Sequence, residues 1–432
     1  MDQRLPQLYK EYGQYSNWRN IPSEIDGLKP VERRVLLSAY KIARTGFVKS
    51  RQVDSYTTGH YHPHGEVYGT VVQLVKQGFL IGQGNFGSNV GVEPVGAAAS
   101  RYTECKLNPK MMELVFKYIK YVPTTETELQ DIEPIYLPTM YPLCLLGTEY
   151  SQGIGFGYRT FLPCYTIRDL HQRLLWLLGI RKRKPIIAPL TDCTITSESD
   201  VVESLLTTGK AKIDVTGVLD IHTRSNKVIL KSWPPGKRFE TILNKFSDEL
   251  GQNIIGFNDF SASETAIEFQ ILRDRNRDKL FSEFLAKLTD AVAGSISFEN
   301  ILIDKDNNVI IKSVDQMLLD TYKMFTNINE DMLKDEIRKL DENIDEYKIL
   351  EMIKPLVAKY INSDIDTAIK NIAKDSKITE KVISGIIDKY KIKKLLTVVT
   401  DTTNLQKEKT VLQSNLKDIN NYVLDQYSSQ SL

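Results

Sequence analysis

The sequence predicts a multidomain α+β protein in which three kinds of architecture follow one another along the chain. A chain of 432 residues is too long for one ordinary domain, and two to four domains are expected. Two apolar helical stripes and a glycine-rich loop near the N-terminus favour a helix-turn-helix domain with a wing. Strand-like and helical runs alternate in the middle, and apolar residues recur at heptad spacing towards the C-terminus. These patterns favour an α/β domain and a long antiparallel coiled coil with a small helical tip.

The composition is that of an ordinary soluble globular protein, with 41% hydrophobic and 26% charged residues. The formal net charge is only +1, but basic residues crowd between Lys29 and Arg51, and a local basic patch is enough for nucleic-acid binding. The 4 cysteines show no C-x-x-C spacing, which indicates a reducing compartment without disulfides or a zinc site. We find no apolar signal core and no run long enough to cross a membrane, so we expect a cytoplasmic protein.

The predicted winged-helix domain covers residues 29–145 and follows a polar arm, residues 1–28, that contains a short helix. Pro30 suits the first position of a helix, because its missing N–H costs nothing there. The first helix, VERRVLLSAYKIAR, has an apolar stripe that leaves Arg33 and Arg34 towards solvent or a ligand. The second helix follows the break HYHPHGE and has an apolar stripe of its own: Val67, Val71, Leu74 and Val75.

The predicted α/β domain covers residues 146–313. Strand-like runs such as VTGVLDIH, KVILKSW and AIEFQIL alternate there with helical runs at 167–179 and 277–291. The segment ILIDKDNNVII is expected to be a hairpin turned by DNN.

The predicted coiled coil covers residues 314–425, where the chain is expected to be nearly all helix. Its first heptad run consists of Leu333, Ile337, Leu340, Ile344 and Tyr347. Its second heptad run consists of Leu405, Leu412, Leu416, Ile419 and Val423. The helical segment 356–397 between them would form the tip, and residues 426–432 are expected to be a frayed tail.

The most informative motif is GNFGSNVGVEPVGAAASRYTECKL, which places Tyr102 directly after Arg101. A tyrosine hydroxyl has a pKa of about 10 and is a poor nucleophile unless a base or a cation helps it. Arg101 is a permanent cation whose fork of donors fits phosphate oxygens. Taken alone, an Arg-Tyr pair is common, and a lone tyrosine usually packs rather than reacts.

Three histidines, His60, His62 and His64, lie within five positions of the HYHPHGE segment. They could bind a metal, carry protons, donate hydrogen bonds to phosphate as neutral groups, or be ordinary loop residues. Zinc is disfavoured because no fourth ligand cluster is visible. The basic residues around the first helix, taken alone, are more typical of a solvated face than of a DNA-binding patch.

Five motifs in register resemble the breakage-reunion (A-type) subunit of type IIA DNA topoisomerases. These are DGLKPVERRVL, YHPHGE, GQGNFGS, AAASRYTE and GIGFGYRTFLP. The family includes the A subunits of DNA gyrase and topoisomerase IV and the medium subunit of phage type II topoisomerases. The motif-dense resemblance covers about residues 15–165, and a weaker one continues to about residue 425.

The resemblance implies a role for each matching residue. Tyr102 would attack DNA and become joined to a 5′-phosphate, with Arg101 beside it. Arg19 and His64 would lie at the scissile phosphate, and Ile154 would wedge between base pairs and bend the DNA. Further residues would contact DNA near the site: Lys29, Arg33, Arg34, His62, Asn85 and Ser88.

The resemblance also implies partners and cofactors. The chain would form a homodimer within an A2B2 heterotetramer, bound to double-stranded DNA. A B-type subunit would supply the Toprim and ATPase domains, hold most of the Mg²⁺ and use the ATP. No acidic metal cluster and no Walker-type G-x-x-x-x-G-K-[ST] loop occurs in this sequence. The fold implied is a winged-helix DNA gate, an α/β tower and a coiled coil ending in an exit gate.

The sequence departs from the bacterial pattern at several positions. HPHGE runs straight into Val67-Tyr68 with two residues fewer, so the serine and acid that anchor quinolones have no counterpart, and Gly69 replaces the acid. Glu32 stands where bacterial members often have histidine. The triple-alanine lead to SRYTE, the compact length and the diverged middle favour a viral or phage enzyme, which would act in the host cytoplasm. Since no room remains for a C-terminal wrapping propeller, we expect relaxation and decatenation rather than negative supercoiling.

Two other classes of protein remain open at this point. One is a non-catalytic DNA-binding architectural dimer on the same scaffold. The other is a single-chain tyrosine recombinase or nicking enzyme, which would use a 3′-phosphotyrosine or no partner metal.

Overall fold

The structure, a computed structural model, describes residues 4–272 and 276–428. The chain mixes helices with antiparallel sheets, which confirms the predicted α+β class. It divides into two compact units, residues 1–325 and 326–432, with the boundary in the chain between Phe325 and Thr326. The domain boundaries drawn from the sequence stay predictions. Of the predicted tail, residues 426–428 belong to the last helix, and 429–432 lie outside the described residues.

The helices, in chain order, are α1 Leu5–Asn20, α2 Pro30–Ile42, α3 Ser50–His60, α4 Tyr68–Lys76, α5 Pro109–Val115, α6 Ile167–Leu177, α7 Ser199–Thr208, α8 Phe239–Leu243, α9 Ser247–Gly251, α10 Arg277–Ala291, α11 Val314–Tyr360, α12 Ile365–Ser376, α13 Glu380–Tyr390, α14 Ile392–Leu395, α15 Thr403–Lys417 and α16 Ile419–Ser428. None of the helices in the described ranges has an apolar stretch long enough to cross a bilayer.

The strands, in chain order, are β1 Val48–Lys49, β2 Leu80–Gln83, β3 Glu104–Leu107, β4 Thr124–Glu126, β5 Ile132–Pro134, β6 Ser151–Ile154, β7 Arg159–Leu162, β8 Thr194–Ile195, β9 Lys210–Thr216, β10 Leu219–His222, β11 Lys227–Leu230, β12 Ile255–Asp259, β13 Ile267–Ile271, β14 Ala293–Glu299, β15 Ile301–Ile303 and β16 Val309–Ile311. The predicted hairpin turned by DNN is confirmed as β15–β16.

The N-terminal part of the first unit packs α2, α3 and α4 against a three-stranded sheet of order β1-β3-β2. α2 begins at Pro30 as expected, and its apolar face is fully buried at Val35 and Ala39. The apolar pattern of the sequence predicts two helices here and does not predict α3. Among the buried residues of α3, only Val53 has a large apolar side chain. Instead the buried Asp54 carboxylate of α3 accepts the Val67 N–H at 2.8 Å, which fixes the start of α4.

The central strand of this sheet begins just after Tyr102. In β3, Cys105 is paired with Val48 of β1 on one side and with Gly82 of β2 on the other. The side chain of Cys105 is fully buried. The tyrosine therefore sits at the end of a strand that is held on both edges.

Two larger sheets follow. The five-stranded sheet has the order β6-β7-β14-β9-β8, and the four-stranded sheet has the order β10-β11-β13-β12. The four-stranded sheet packs on α8, α9 and α10 around a core rich in phenylalanine: Phe239, Phe246, Phe269, Phe281 and Phe284. The helices predicted at 167–179 and 277–291 are confirmed as α6 and α10.

The second unit contains the rest of α11 and the helices that follow it. Leu350, Ile353 and Val357 of α11 pack with α12 and α13 in one buried cluster. Lys409 of α15 forms an ion pair with Asp341 of α11. Farther along the chain, the Gln426 amide of α16 donates to Asn329 at 3.1 Å. These contacts hold the C-terminal helices along α11, while a coiled coil stays a prediction.

Candidate nucleic-acid interface

The tyrosine loop, residues 84–102, presents its reactive group to solvent. The Tyr102 side chain is 66% exposed, and its backbone N–H donates to Ala99 O at 2.8 Å in a tight turn. The guanidinium carbon of Arg101 lies 4.7 Å from the centre of the Tyr102 ring. A cation over the face of the ring is favourable, and its charge would also favour the anionic form of the phenol. A phenol and a permanent cation are thus offered together to an incoming ligand.

Hydroxyl groups and backbone bonds hold the turn that carries Tyr102. The Tyr68 hydroxyl donates to Ala98 O at 2.5 Å and lies 3.0 Å from Thr103 Oγ1. Thr103 Oγ1 donates to Ser50 Oγ at 2.9 Å, and the Ser50 N–H donates to Thr103 O at 3.0 Å. These contacts fix the backbone on both sides of Tyr102, whose side chain stays mostly exposed beside Arg101.

The rest of the tyrosine loop is closed by its own polar groups. The Ala98 N–H donates to Asn85 O, and Ser88 and Val95 exchange backbone hydrogen bonds. The Asn85 and Ser88 side chains accept the N–H groups of Gly87 and Val90, respectively. The structure thus uses both side chains to shape the turn, and their contact with DNA stays a prediction.

A cavity of about 60 Å³ brings together three motifs that are separate in sequence. It is lined by the end of α1, the start of α2 and the histidine loop, residues 61–67. The lining residues are Trp18, Arg19, Asn20, Pro30, Val31, Arg34, His62 and His64. Four residues predicted from three separate segments, Arg19, Arg34, His62 and His64, thus meet in one histidine–arginine cavity. Arg101 and Tyr102 do not line it.

The chemistry of His62 is set by Arg34. The Arg34 guanidinium binds Glu133 through two hydrogen bonds of 2.8 Å, and its Nη1 lies 3.2 Å from His62 Nδ1. A guanidinium only donates, so Nδ1 must be the acceptor and the neutral imidazole carries its proton on Nε2. Burial, reinforced by the charges of Arg34, His64 and Arg19, lowers the pKa of His62 to about 4. His62 is therefore a neutral hydrogen-bond donor at neutral pH.

Arg19 and His64 share a second set of contacts at the cavity. The Tyr15 hydroxyl is 3.1 Å from His64 Nε2, and Glu128 Oε1 is 3.7 Å from the same nitrogen. The Arg19 guanidinium carbon lies 5.6 Å from the centre of the Tyr15 ring. No carboxylate of the described residues forms an ion pair with Arg19. Arg19 therefore brings an uncompensated positive charge to the cavity, as an anion-binding site requires.

Two predicted DNA contacts are already occupied by carboxylates. Arg33 donates to the fully buried Asp26 at 2.8 and 3.0 Å, and Lys29 Nζ lies 3.2 Å from Glu32 Oε1. The sequence pattern left Arg33 and Arg34 towards solvent or a ligand; neither guanidinium faces solvent here, and the ligand alternative stays a prediction. Each guanidinium turns inwards to a carboxylate, because a buried cation is stable only when it is paired. Contacts of these residues with DNA stay predictions.

Ile154 stands at the end of β6, in a hairpin that the first helix braces. Its side chain is 75% exposed, which is unusual for a large aliphatic group in a regular strand. The hairpin turn is closed by a hydrogen bond from Gly155 N to Tyr158 O at 2.9 Å. The Phe156 N–H donates to Asn17 Oδ1 of α1 at 2.6 Å. A braced, exposed isoleucine has the form required to insert between stacked bases.

The third histidine of the motif does not belong to the cavity. His60 Nδ1 lies 3.0 Å from Asp131 Oδ2, and its ring stacks on Tyr56 at 4.2 Å. Within residues 4–272 and 276–428, no three His, Cys, Asp or Glu side chains come close enough to hold a metal ion.

Sequence reasoning missed the residues that support the site. Tyr68 holds the tyrosine turn, Tyr15 contacts His64, and Glu133 pairs with Arg34 across 99 positions of sequence. Only Tyr68 could have been found from the sequence, because it lies two positions after the histidine motif HYHPHGE. The pairing of Glu133 with Arg34 depends on tertiary structure and has no local pattern.

Comparison of the sequence with known proteins shows which family this chain belongs to. The model of the family described as the A subunit of DNA gyrase/topoisomerase IV matches residues 19–432. The chain is 25% identical over 398 residues to the DNA gyrase A subunit of Clostridium acetobutylicum, which covers 86% of the chain and 46% of that protein. It is 26% identical over 444 residues to the DNA topoisomerase 4 A subunit of Rickettsia conorii, covering 93% of the chain and 58% of that protein.

A shorter match is closer in sequence. The chain is 36% identical over 177 residues to the DNA gyrase A subunit of Mycobacterium bovis, covering 37% of the chain and 20% of that protein. The chain thus spans only 20 to 58% of the length of these relatives. The family model nevertheless covers nearly the whole chain, including the histidine–arginine cavity, the tyrosine loop and Ile154. The chain therefore belongs to the family of DNA gyrase and topoisomerase IV A subunits.

Proposed function

We propose that this chain is the DNA-cleaving and religating subunit of an ATP-dependent type IIA DNA topoisomerase. It makes a transient double-strand break through 5′-phosphotyrosine, lets a second duplex pass and reseals the ends. One observation carries the proposal: the exposed Tyr102 side chain has its ring centre 4.7 Å from the guanidinium carbon of Arg101, in a chain of this family.

The chemistry follows from these two side chains. The Tyr102 oxygen attacks the phosphorus, its proton leaves, and a bond from phosphorus to the tyrosine oxygen forms. The bond to the 3′-oxygen breaks, and that oxygen takes up a proton. Arg101 stabilises the charge that develops on the non-bridging oxygens. Cleavage exchanges one phosphate ester bond for another, so the bond energy is retained in the phosphotyrosine. The reverse reaction therefore reseals the DNA without ATP.

The histidine–arginine cavity supplies the backbone-binding part of the proposal. Arg19 offers a free positive charge, and the neutral His62 offers an N–H donor that needs no proton from solvent. Phosphate contacts of this kind position a duplex without reading its sequence. Ile154 would then insert at a base step and bend the duplex held there.

Under this proposal the parts of the chain take the names that the family gives them. α2, α3 and α4 with their three-stranded sheet are the winged-helix gate, and the two larger sheets belong to the tower. The contacts of α11 with α15 and α16 support a coiled coil, with α12 to α14 as the exit gate. The boundaries proposed are those drawn from the sequence.

We further propose a homodimer within an A2B2 heterotetramer that acts on double-stranded DNA in the cytoplasm, or in the host cytoplasm for a phage protein. A B-type partner with Toprim and ATPase domains uses ATP and binds Mg²⁺, which would offset charge on the reacting phosphate. The relatives are named as A subunits, which supports a partner of a second kind. Relaxation and decatenation are the proposed outcomes, and assays on supercoiled and catenated DNA test them.

The experiment that tests the function is Tyr102→Phe, assayed with Mg²⁺, duplex DNA and the partner subunit. Covalent complexes trapped with denaturant should disappear, because no nucleophile remains. The matched control is Tyr12→Phe, since Tyr12 is 61% exposed and Tyr102 is 66% exposed. Trapped complexes that survive in Tyr102→Phe would overturn the proposal. A wild-type chain that binds DNA and never forms such complexes would indicate the architectural dimer instead.

A further inference from the structure

The far end of the tyrosine loop is attached to the four-stranded sheet. Asp259, the last residue of β12, accepts the Val92 N–H on Oδ2 at 2.9 Å. Its Oδ1 accepts the Ser261 N–H, also at 2.9 Å, and the Gly91 N–H donates to Thr265 Oγ1 at 3.4 Å. The Val92 side chain packs against the phenylalanine-rich core of the same sheet. Polar and apolar contacts therefore join two segments that are more than 160 positions apart in sequence.

The backbone at this contact is shaped for a close approach. Gly91 has a φ of +90°, which side chains other than glycine rarely adopt. A Cβ atom at this position would lie 2.9 Å from Asp259 Oδ2. The Ser261 hydroxyl and the Val92 N–H also hold the pKa of Asp259 below its ordinary value. The acceptor is thus an ionised carboxylate throughout the neutral range.

A ladder of bonds leads from this contact to the tyrosine. Asp259 holds Val92, Ser88 and Val95 exchange backbone hydrogen bonds on either side of the tip, and Asn85 O accepts the Ala98 N–H. The next link of the chain is the turn in which the Tyr102 N–H donates to Ala99 O. Without the contact to Asp259, the tip of the tyrosine loop would be unattached, and the loop could sample more conformations.

We propose that Asp259 is a positioning residue that fixes the tyrosine loop, and through it Tyr102, against the four-stranded sheet. This inference rests on the proposed function and adds a second region of the chain to it. Asp259 touches no reacting atom. It acts by limiting where the Tyr102 hydroxyl can go, and displacement of a reacting group by about 1 Å can lower a rate by about 100-fold.

The first test is Asp259→Ala, assayed at saturating DNA with Mg²⁺ and the partner subunit. We expect the rate of covalent complex formation to fall by about tenfold. The Kd for uncleaved DNA, measured in a Tyr102→Phe background, should change by less than about twofold, because Asp259 is not a phosphate ligand. The control is Asp290→Ala, which removes an exposed carboxylate that is paired with Lys245 instead of the loop.

A second variant approaches the same contact from the loop. Gly91→Ala places a methyl group against the Asp259 carboxylate and should reproduce the kinetic pattern of Asp259→Ala. A wild-type cleavage rate in Asp259→Ala would overturn the proposal. So would an equal loss in Asp290→Ala, which would indicate general damage to the sheet.

Amide hydrogen exchange separates this inference from the proposed function. In Asp259→Ala, exchange should become faster at Val92 and Val95 and also at Ala98 and Tyr102, where the ladder ends. Faster exchange confined to Val92 would overturn the proposal whatever the cleavage rate. If the wild type formed no Tyr102 adduct while exchange still spread to Tyr102, the proposed function would fail and the mechanical link would stand.

Discussion

In the histidine–arginine cavity Arg34 and His62 are buried and bound to each other, whereas Arg101 and Tyr102 of the tyrosine loop are exposed. Arg34 is 6% exposed and also binds Glu133. Tyr102 is 66% exposed, and no carboxylate in the described part of the chain forms an ion pair with Arg101. One region holds these two donors with partners inside the protein, and the other presents its phenol and its guanidinium to solvent.

The difference fits a division of labour between binding and reaction. A prearranged set of donors binds a phosphate backbone with little loss of conformational entropy. A nucleophile has to reach a phosphorus atom and later be released from it. An exposed side chain on a fixed backbone suits both steps. The cavity lacks Tyr102, and the tyrosine loop lacks the histidines. DNA bound to the assembled protein would bring their functions together.

If the reaction belongs to the tyrosine loop, the largest effect of a conservative change should come from Arg101. We expect Arg101→Ala to lower the rate of covalent complex formation at saturating DNA by about 10² to 10³-fold, because a preorganised donor to the developing charge is lost. DNA affinity should fall by less than about threefold. Rapid-quench cleavage assays would measure the rate. Arg101→Lys, which keeps the charge and loses the fork, should be intermediate, and an unchanged rate in Arg101→Ala would remove Arg101 from the mechanism.

If the cavity is held by internal pairing, stability should depend on it more than on the loop. Glu133→Gln leaves the Arg34 guanidinium buried without a full counter-charge and should lower the free energy of unfolding by about 3 kcal/mol. Tyr102→Phe should change it by less than about 0.5 kcal/mol. Urea denaturation measures both. Glu126→Gln is the matched control, because Glu126 lies on the same β4–β5 hairpin and is exposed, and equal losses in Glu126→Gln and Glu133→Gln would contradict the pairing.

The neutral state of His62 predicts a pH dependence of stability. Its pKa is about 4 in the folded chain against an ordinary 6.5, so the unfolded chain binds more protons between these two values. Stability should therefore fall as the pH drops from 6.5 to 4 and level off below, by up to about 3 kcal/mol from this group. His62→Gln should lose that part of the slope in urea titrations at several pH values. The control is His222→Gln on β10, and a slope that His62→Gln leaves intact would refute the assignment.

Arg19 should have the smallest effect, on affinity alone. Because no carboxylate of the described residues pairs with it, Arg19 should make one phosphate contact. Arg19→Ala should weaken DNA binding by about tenfold at low salt and reduce the slope of log Kd against log salt by about 1. Fluorescence anisotropy with a short duplex gives both numbers. Arg224→Ala, at an exposed arginine, should leave the slope unchanged, and an unchanged slope in Arg19→Ala would show that Arg19 makes no such contact.

The same two regions show how far the sequence predicts the structure. The tyrosine loop is a local motif, and the sequence alone sets Arg101 beside Tyr102, but it does not decide whether that tyrosine packs or is exposed. The cavity depends on pairs such as Arg34 with Glu133 and Tyr15 with His64, which the fold alone brings together. Helical periodicity located α2 and α6 correctly and placed Arg33 off the apolar stripe, but a stripe does not show that the buried Asp26 lies beside it.

Two elements that were not predicted, α3 and β12, have no clear apolar period. α3 buries Ser50, Asp54 and Thr57 in place of an apolar stripe, so no hydrophobic period marks it. β12, which ends at Asp259, is a short strand beginning at Ile255 and interrupted by Gly256 and polar residues. Its pairing with β13 becomes evident only in the assembled sheet. The contact of Asp259 with the tyrosine loop could not have been predicted for the same reason.

The proposed function requires that the Tyr102 hydroxyl become covalently joined to DNA. This can be measured by mass spectrometry of covalent complexes formed by the chain, duplex DNA and the partner subunit, after trapping with denaturant and digestion with protease and nuclease. We expect a modified peptide in which Tyr102 carries a nucleotide through its 5′-phosphate, with a free 3′-hydroxyl on the other side of the break. A nucleotide on any other residue, or a link through a 3′-phosphate, would contradict it.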